Sequence, residues 1–437
     1  MIRIVRAVSF SAFFVLVSQA TNAAQPLSDA ESDPREMGWM QGFPPAPEKV
    51  VGQPMSNYFS WPRMRWTFCH LRDMQASQTI SPGLGSRSEL SEAFDTAIDA
   101  VEFRPIGKDQ SMSWQESLAA NYTDGLVILH KGEVVYEYYS GCLDREGRHG
   151  AMSVTKSYIG LVAELLIADG VLDAQRVVSD YVPELAKSAF GTATVRQVMD
   201  MTTALKFNED YADPESDIWA YAIAGSPLPK PADYPGPRSY YEYLQTVQPA
   251  GEHGVAFAYK SVNTDALAWV IARASGRSAV ELISERIWKP LGTEQEADIL
   301  IDSIGSPFSA GGLSMGLRDA ARLGQALLQR GMFAGERIFA ESVVDSISEG
   351  GDPEKFAAAG YRTLPGGSYR SMWWILHNEH RAYSARGIHG QAIYVDPTAE
   401  MVIARFASYP VSFNAAIDPT SLPAYQAVAE YLLNKES

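Results

Sequence analysis

The chain has 437 residues, and its 36 basic side chains stand against 52 acidic ones for a net charge of −16. So acidic a chain repels phosphate backbones, which argues against a nucleic-acid partner. Its two cysteines, Cys69 and Cys142, are too few for a thiolate zinc cluster or an iron–sulfur site.

Arg3 and Arg6 precede a mostly apolar run from Ala7 to Ala20, and Thr21-Asn22-Ala23 supplies small residues for cleavage. Residues 1–23 therefore read as a signal peptide, too short to span a bilayer comfortably. The expectation is an exported chain, periplasmic or secreted, without stable membrane insertion. In that compartment Cys69 and Cys142 can pair, but they lie far apart in sequence, and their proximity stays open. Residues 24–60, rich in Pro, Gly, Ser and Met, read as an extended lead-in wrapping the body. The remainder, 61–437, is long enough for one folding unit of two lobes, with a helical lobe over about 155–330.

Trp61 to Leu71 is an aromatic and basic patch expected to dock on the main body, and a short helix is expected over Glu89–Ile98. The β-rich runs 125–130 and 133–139 flank Lys131-Gly132 and predict a hairpin. After a Gly/Arg/His turn comes Ser153-Val154-Thr155-Lys156, which opens an apolar helix. Further helices are predicted over 195–201, 265–274, 279–287 and 316–328. Strands return at 372–376, 392–395 and 401–406, and a last helix runs over 424–433. The first and last strands most simply share one antiparallel sheet, so the fold class is α+β: an antiparallel sheet flanked by helices, with a mostly helical lobe inserted between its halves. Ser153 then falls at the seam of the lobes, where clefts form.

Ser153 and Lys156, three positions apart on a helix, share one face. Burial beside Leu161, Val162 and Leu165 would lower the lysine pKa, so that a neutral amine could take the hydroxyl proton. The tetrapeptide alone fits equally a serine cap beside a snorkelling lysine. Tyr259, in a short loop ahead of a helix, can relay a proton if a cationic neighbour lowers its pKa; otherwise it is a packed tyrosine with a satisfied hydroxyl. Gly387-Ile388-His389-Gly390-Gln391 lies ahead of a strand, where glycines admit close approach and an edge strand could supply a second oxyanion N–H.

These three pieces, in this order and on these elements, resemble the serine β-lactamase and penicillin-binding superfamily, within it most closely the 6-aminohexanoate-dimer (nylon-oligomer) hydrolases and β-lactamase-fold esterases. The likeness spans about residues 58–435 and takes in the hairpin, Thr194 to Thr202, Tyr259-Lys260-Ser261 and Gly311-Gly312-Leu313-Ser314. It implies Ser153 as acylated nucleophile, Lys156 as its base, Tyr259 as proton relay and Ser261 in the third position of a Tyr-x-Asn/Ser motif. It also implies an oxyanion hole from the N–H groups of Ser153 and Ile388, with Tyr211 and Trp374 near the substrate pocket. His389 could touch substrate or make a structural hydrogen bond. The resemblance implies no cofactor and no metal. One departure is the missing Lys-Thr-Gly, which puts penicillin recognition in doubt and leaves ester or linear-amide hydrolysis intact.

Two other motifs compete. Gly312-Leu313-Ser314-Met315-Gly316 fits a nucleophile elbow, but turn-forming residues precede it and no parallel β/α alternation surrounds it, so Ser314 reads as a helix cap. His377-Asn378-Glu379-His380 lacks the spacing of a zinc-binding pair. The functional expectation is a serine hydrolase acting on a small-molecule amide or ester. Alternatives are a carboxylesterase or D-aminopeptidase-like enzyme of the same fold, or a catalytically silent envelope or binding protein on this scaffold. No signal for an oligomeric state is present.

Overall fold

The computed structural model describes residues 26–435, so the signal-peptide expectation over 1–23 lies outside the described residues. In chain order the main elements are β1 (Thr123–His130), β2 (Glu133–Tyr139), α1 (Val154–Ala168), α2 (Asp217–Ala224), α3 (Val262–Ser275), α4 (Leu317–Leu328), β3 (Ser368–Arg370), β4 (Trp373–Ile375), β5 (Tyr383–Gly387), β6 (Gln391–Asp396), β7 (Met401–Ala407) and α5 (Asp418–Lys435). Seven strands form one antiparallel sheet in the order β3-β4-β5-β6-β7-β1-β2. The N-terminal hairpin thus joins the C-terminal strands, as the sequence predicts. Lys131 and Gly132 both take left-handed φ values (51° and 87°), the turn whose twist matches a two-residue hairpin.

Both faces of the sheet are covered, which accounts for its nearly continuous apolar strands. Val127, Leu129, Val402 and Ala404 point to the face packed by α1 and α4. Their neighbours Leu126, Ile128, Met401 and Ile403 point to the opposite face, against Ala424, Val428 and Leu432 of α5. Helix α1 is buried on every side from Val154 to Leu166, the pattern of a helix enclosed within a core rather than laid on its surface. Gly160 makes that enclosure possible: a Cβ there would lie 2.0 Å from the Ser371 carbonyl oxygen.

The lead-in is built from short turns of helix at Pro34–Met37, Pro47–Lys49 and Met55–Tyr58 rather than extended chain. The Trp61–Leu71 patch docks as expected: Met64, Phe68 and Leu71 pack with Met152 and Leu300. Cys69 and Cys142 form a disulfide, which ties this patch to the segment after β2. No helix forms over residues 89–95. That stretch runs along the hairpin instead, with Ala93 N–H donating to the Val134 carbonyl and Asp95 N–H to that of Val135. Covering an edge strand outweighs a weak helical pattern there. No helix of the described residues is long and apolar enough to cross a membrane.

Candidate active site

The site begins with a strained turn. Ala151 N–H is held by the Leu313 carbonyl (2.7 Å), and Met152 adopts φ 47°, a left-handed conformation costing roughly 1–3 kcal/mol in a non-glycine residue. Burial of the Met152 side chain among Met64, Phe68, Leu71 and Leu300 holds the turn in place. The turn delivers Ser153 to the start of α1 with only 7% of its surface exposed, on the wall of an open cavity. Its hydroxyl is not spent on capping the helix.

One turn on, Lys156 is 1% exposed, and its Nζ lies 2.9 Å from Ser153 Oγ and 2.6 Å from the Ala310 carbonyl. Burial pulls its pKa down to about 8, against the opposing pull of Glu209 and Asp265. Near neutral pH a useful fraction is therefore an uncharged amine within proton-transfer distance of the hydroxyl.

Tyr259 completes the group from the loop before α3. Lys156 Nζ sits 5.2 Å from its ring centre, and the Ser153 hydroxyl interacts with its phenol. The lowered pKa that the sequence makes a condition of the relay is not found. Burial, with Glu209 adding to it, raises the phenol well above its ordinary value, and Ser153 offsets this only in part. Tyr259 is therefore a neutral donor, suited to handing a proton on rather than to acting as a phenolate base.

Ser261 immediately precedes α3 and lines the cavity, and its N–H and Oγ both donate to Glu209, each at 2.6 Å. Tyr211 also lines the cavity, donating to Glu209 at 3.2 Å and standing edge-on to Trp219. Glu209 thus gathers Ser261, Tyr211 and the charge of Lys156 around one carboxylate, and burial raises its pKa. Nothing in the sequence singles it out, because it lies in a polar loop whose path only the fold determines.

Ile388 lines the cavity opposite. A Cβ on Gly387 would fall 2.7 Å from the Ala151 carbonyl oxygen and 3.0 Å from Ser153 N, so only glycine lets the end of β5 reach the serine turn. Among the described residues, no acceptor takes the amides of Ser153 and Ile388. Strand β5 lies inside the sheet, between β4 and β6, and not at the edge that the sequence suggested; Ile388 is available because it follows the strand's last residue.

Two predicted pocket residues lie elsewhere. Trp374 is stacked behind Tyr259 (5.4 Å between ring centres) and supports it without lining the cavity. His389 takes φ 63°, which turns its ring away toward Phe59 and Phe68, with Nδ1 on the Tyr409 carbonyl (2.7 Å). Burial pulls its pKa down to about 4, so it stays neutral. The cavity wall includes residues not anticipated from sequence: Met55, Tyr58 and Phe59 of the lead-in, with Ile218, Trp219 and Tyr221 of α2. Ser314 is not a helix cap; it sits in the strand Leu313–Met315, paired with Gly150 and Asp298, away from the cavity.

A buried helix carrying a serine to a cavity wall with a lysine behind it, backed by an antiparallel sheet, defines a serine hydrolase. A family model described as Beta-lactamase matches residues 118–423. The chain belongs to the beta-lactamase family. It is 34% identical over 368 residues to a 6-aminohexanoate-dimer hydrolase of Paenarthrobacter ureafaciens, covering 83% of this chain and 90% of that one. A solved structure provisionally named 6-aminohexanoate-dimer hydrolase, from Bacillus anthracis, matches with TM-score 0.80 and 29% identity, over 89% of this chain and 99% of that one. EstCE1, a hydrolase with promiscuous acyltransferase activity, shares the fold at TM-score 0.56 and 16% identity, over 72% of this chain and 96% of that one.

Proposed function

We propose that the chain is an exported serine hydrolase that cleaves a small amide or ester through an acyl-enzyme on Ser153. The observation that carries this reading is the 2.9 Å approach of a buried, pKa-lowered Lys156 to a hydroxyl on the cavity wall. Neutral Lys156 takes the Ser153 proton as Oγ attacks the carbonyl carbon. The developing oxyanion is met by the N–H groups of Ser153 and Ile388, in a position where backbone donors act without reorganisation. Tyr259, neutral, gives its proton to the departing amine or alkoxide and regains one from the Lys156 ammonium. Water then attacks the acyl carbon, Ser153 recovers its proton, and the acid leaves.

Likeness to the 6-aminohexanoate-dimer hydrolases supports a linear amide, and the same groups serve a carboxylesterase or a D-aminopeptidase-like enzyme. Recognition of a β-lactam carboxylate is disfavoured: Arg386, the cation nearest the missing Lys-Thr-Gly, is paired with Asp418 and lies over Trp374. The Cys69–Cys142 disulfide supports export to an oxidising compartment. A hydrolysis panel of p-nitrophenyl esters, 6-aminohexanoate dimer and nitrocefin tests the reading. Ester or linear-amide turnover that Ser153→Ala abolishes is expected; undiminished turnover by that variant rejects it.

A further inference from the structure

The cavity at Ser153 continues beyond α2. Met55, Tyr58, Phe59, Gln75, Trp219 and Ala222 line it and also line a second space, which opens between the lead-in and the proline-rich turn at 226–231. The outer walls are apolar, with Ile223 and Leu228 about half exposed. Several polar groups along this path are already engaged. Lys230 Nζ donates to the carbonyls of Ala224, Ser226 and Arg238; Gln53 Nε2 donates to the Met74 carbonyl, Trp219 Nε1 to that of Asp213, and the Gln75 amide to Tyr58 Oη. Among the described residues no carboxylate lines either space, so a cationic tail would lose its hydration there unpaired, and an anionic one would meet only a Lys230 ammonium whose donors are taken up by carbonyls.

The groove also has a direction. Tyr259, the donor to the leaving group, lines neither space, whereas Ser153 lines the inner one. The leaving group therefore departs on the Tyr259 side, and the part that stays on Ser153 faces the groove. We propose that this groove is an acyl-chain subsite, and that the substrate class is esters or amides of extended, uncharged aliphatic acids. This rests on the acyl-enzyme reading above. A 6-aminohexanoyl group, with its terminal ammonium, fits such a groove less well than an alkyl chain of equal length.

The test uses the full chain and two ester series. With p-nitrophenyl esters from acetate to dodecanoate, kcat/KM rises about two- to fourfold per methylene until the tail reaches the mouth at Leu228. Alkyl acetates of rising alcohol length stay within roughly threefold of one another, because that half does not enter the groove. Ile223→Arg and Leu228→Asp each lower the decanoate-to-acetate ratio about tenfold or more, by setting a charge against the tail. A flat acyl series, a rise in the alkyl acetates instead, or an unchanged ratio in both variants overturns the proposal. Acylation of Ser153 by p-nitrophenyl acetate, followed by mass, separates the two readings. Acylation with a flat acyl series sinks only the groove, and no acylation sinks the acyl-enzyme reading with it.

Discussion

Replacing Lys156 by methionine should abolish activity and stabilise the fold at neutral pH. The wild-type amine titrates near 8 in the folded protein and at 10.5 when unfolded, because burial disfavours the ammonium. At pH 6, where both states are protonated, that difference means the folded chain carries about 3 kcal/mol of desolvation cost. Methionine fills similar space without charge, but it leaves the Ala310 carbonyl without its 2.6 Å donor, a loss of about 1–2 kcal/mol. The net expectation at pH 6 is a variant more stable by about 1–2 kcal/mol. Between pH 8 and 10.5 the unfolded wild type binds more protons than the folded one, so wild-type stability rises with pH while that of the variant lacks this rise. The two curves should cross at about pH 9, with the wild type the more stable above it. Urea unfolding from pH 6 to 10.5 reads both quantities. A variant clearly less stable at pH 6, or a gap that stays constant with pH, would refute the buried, neutralised lysine.

Three further changes probe the same machinery. Glu209→Gln removes the charge that holds the Lys156 pKa up, so the rising limb of the kcat/KM profile should move to lower pH; an unmoved limb would detach Glu209 from the lysine. Tyr259→Phe should slow amide hydrolysis by about 10²–10⁴-fold and p-nitrophenyl ester hydrolysis far less, since nitrophenolate leaves without a proton. Equal losses on both substrates would make Tyr259 a packing residue. Cys69→Ser with Cys142→Ser opens a loop of sequence separation 73 and should lower stability by about 4 kcal/mol, read as the shift in unfolding midpoint. A loss under about 1 kcal/mol would show that the lead-in docks without its tether.

Much of the site was legible because local spacing determines it. A helix sets Ser153 and Lys156 on one face whatever surrounds them, and the Lys131-Gly132 turn dictates its hairpin. Where long-range packing decides, sequence reasoning stops. Glu209 reaches Ser261 only because the loop before α2 folds back over α3. The walls at Met55, Tyr58 and Phe59 exist because the docked patch and its disulfide bring the lead-in across the cavity. For His389 the sequence leaves substrate contact and a structural hydrogen bond both open, and a left-handed φ decides for the second by pointing the ring into Phe59 and Phe68. For Tyr259 the sequence leaves the pKa conditional on a cationic neighbour, and burial beside Glu209 decides it upward against the smaller opposing effects of Ser153 and Arg386.

The central claim is that Ser153 alone becomes acylated, with Lys156 drawing off its proton. Intact-mass and peptide mapping after brief exposure to a fluorophosphonate or p-nitrophenyl acetate measures this directly. A single adduct on the Ser153 peptide, lost in Ser153→Ala and strongly slowed in Lys156→Met, is the predicted result. An adduct on the Ser314 peptide, or undiminished labelling of Ser153→Ala, would contradict it.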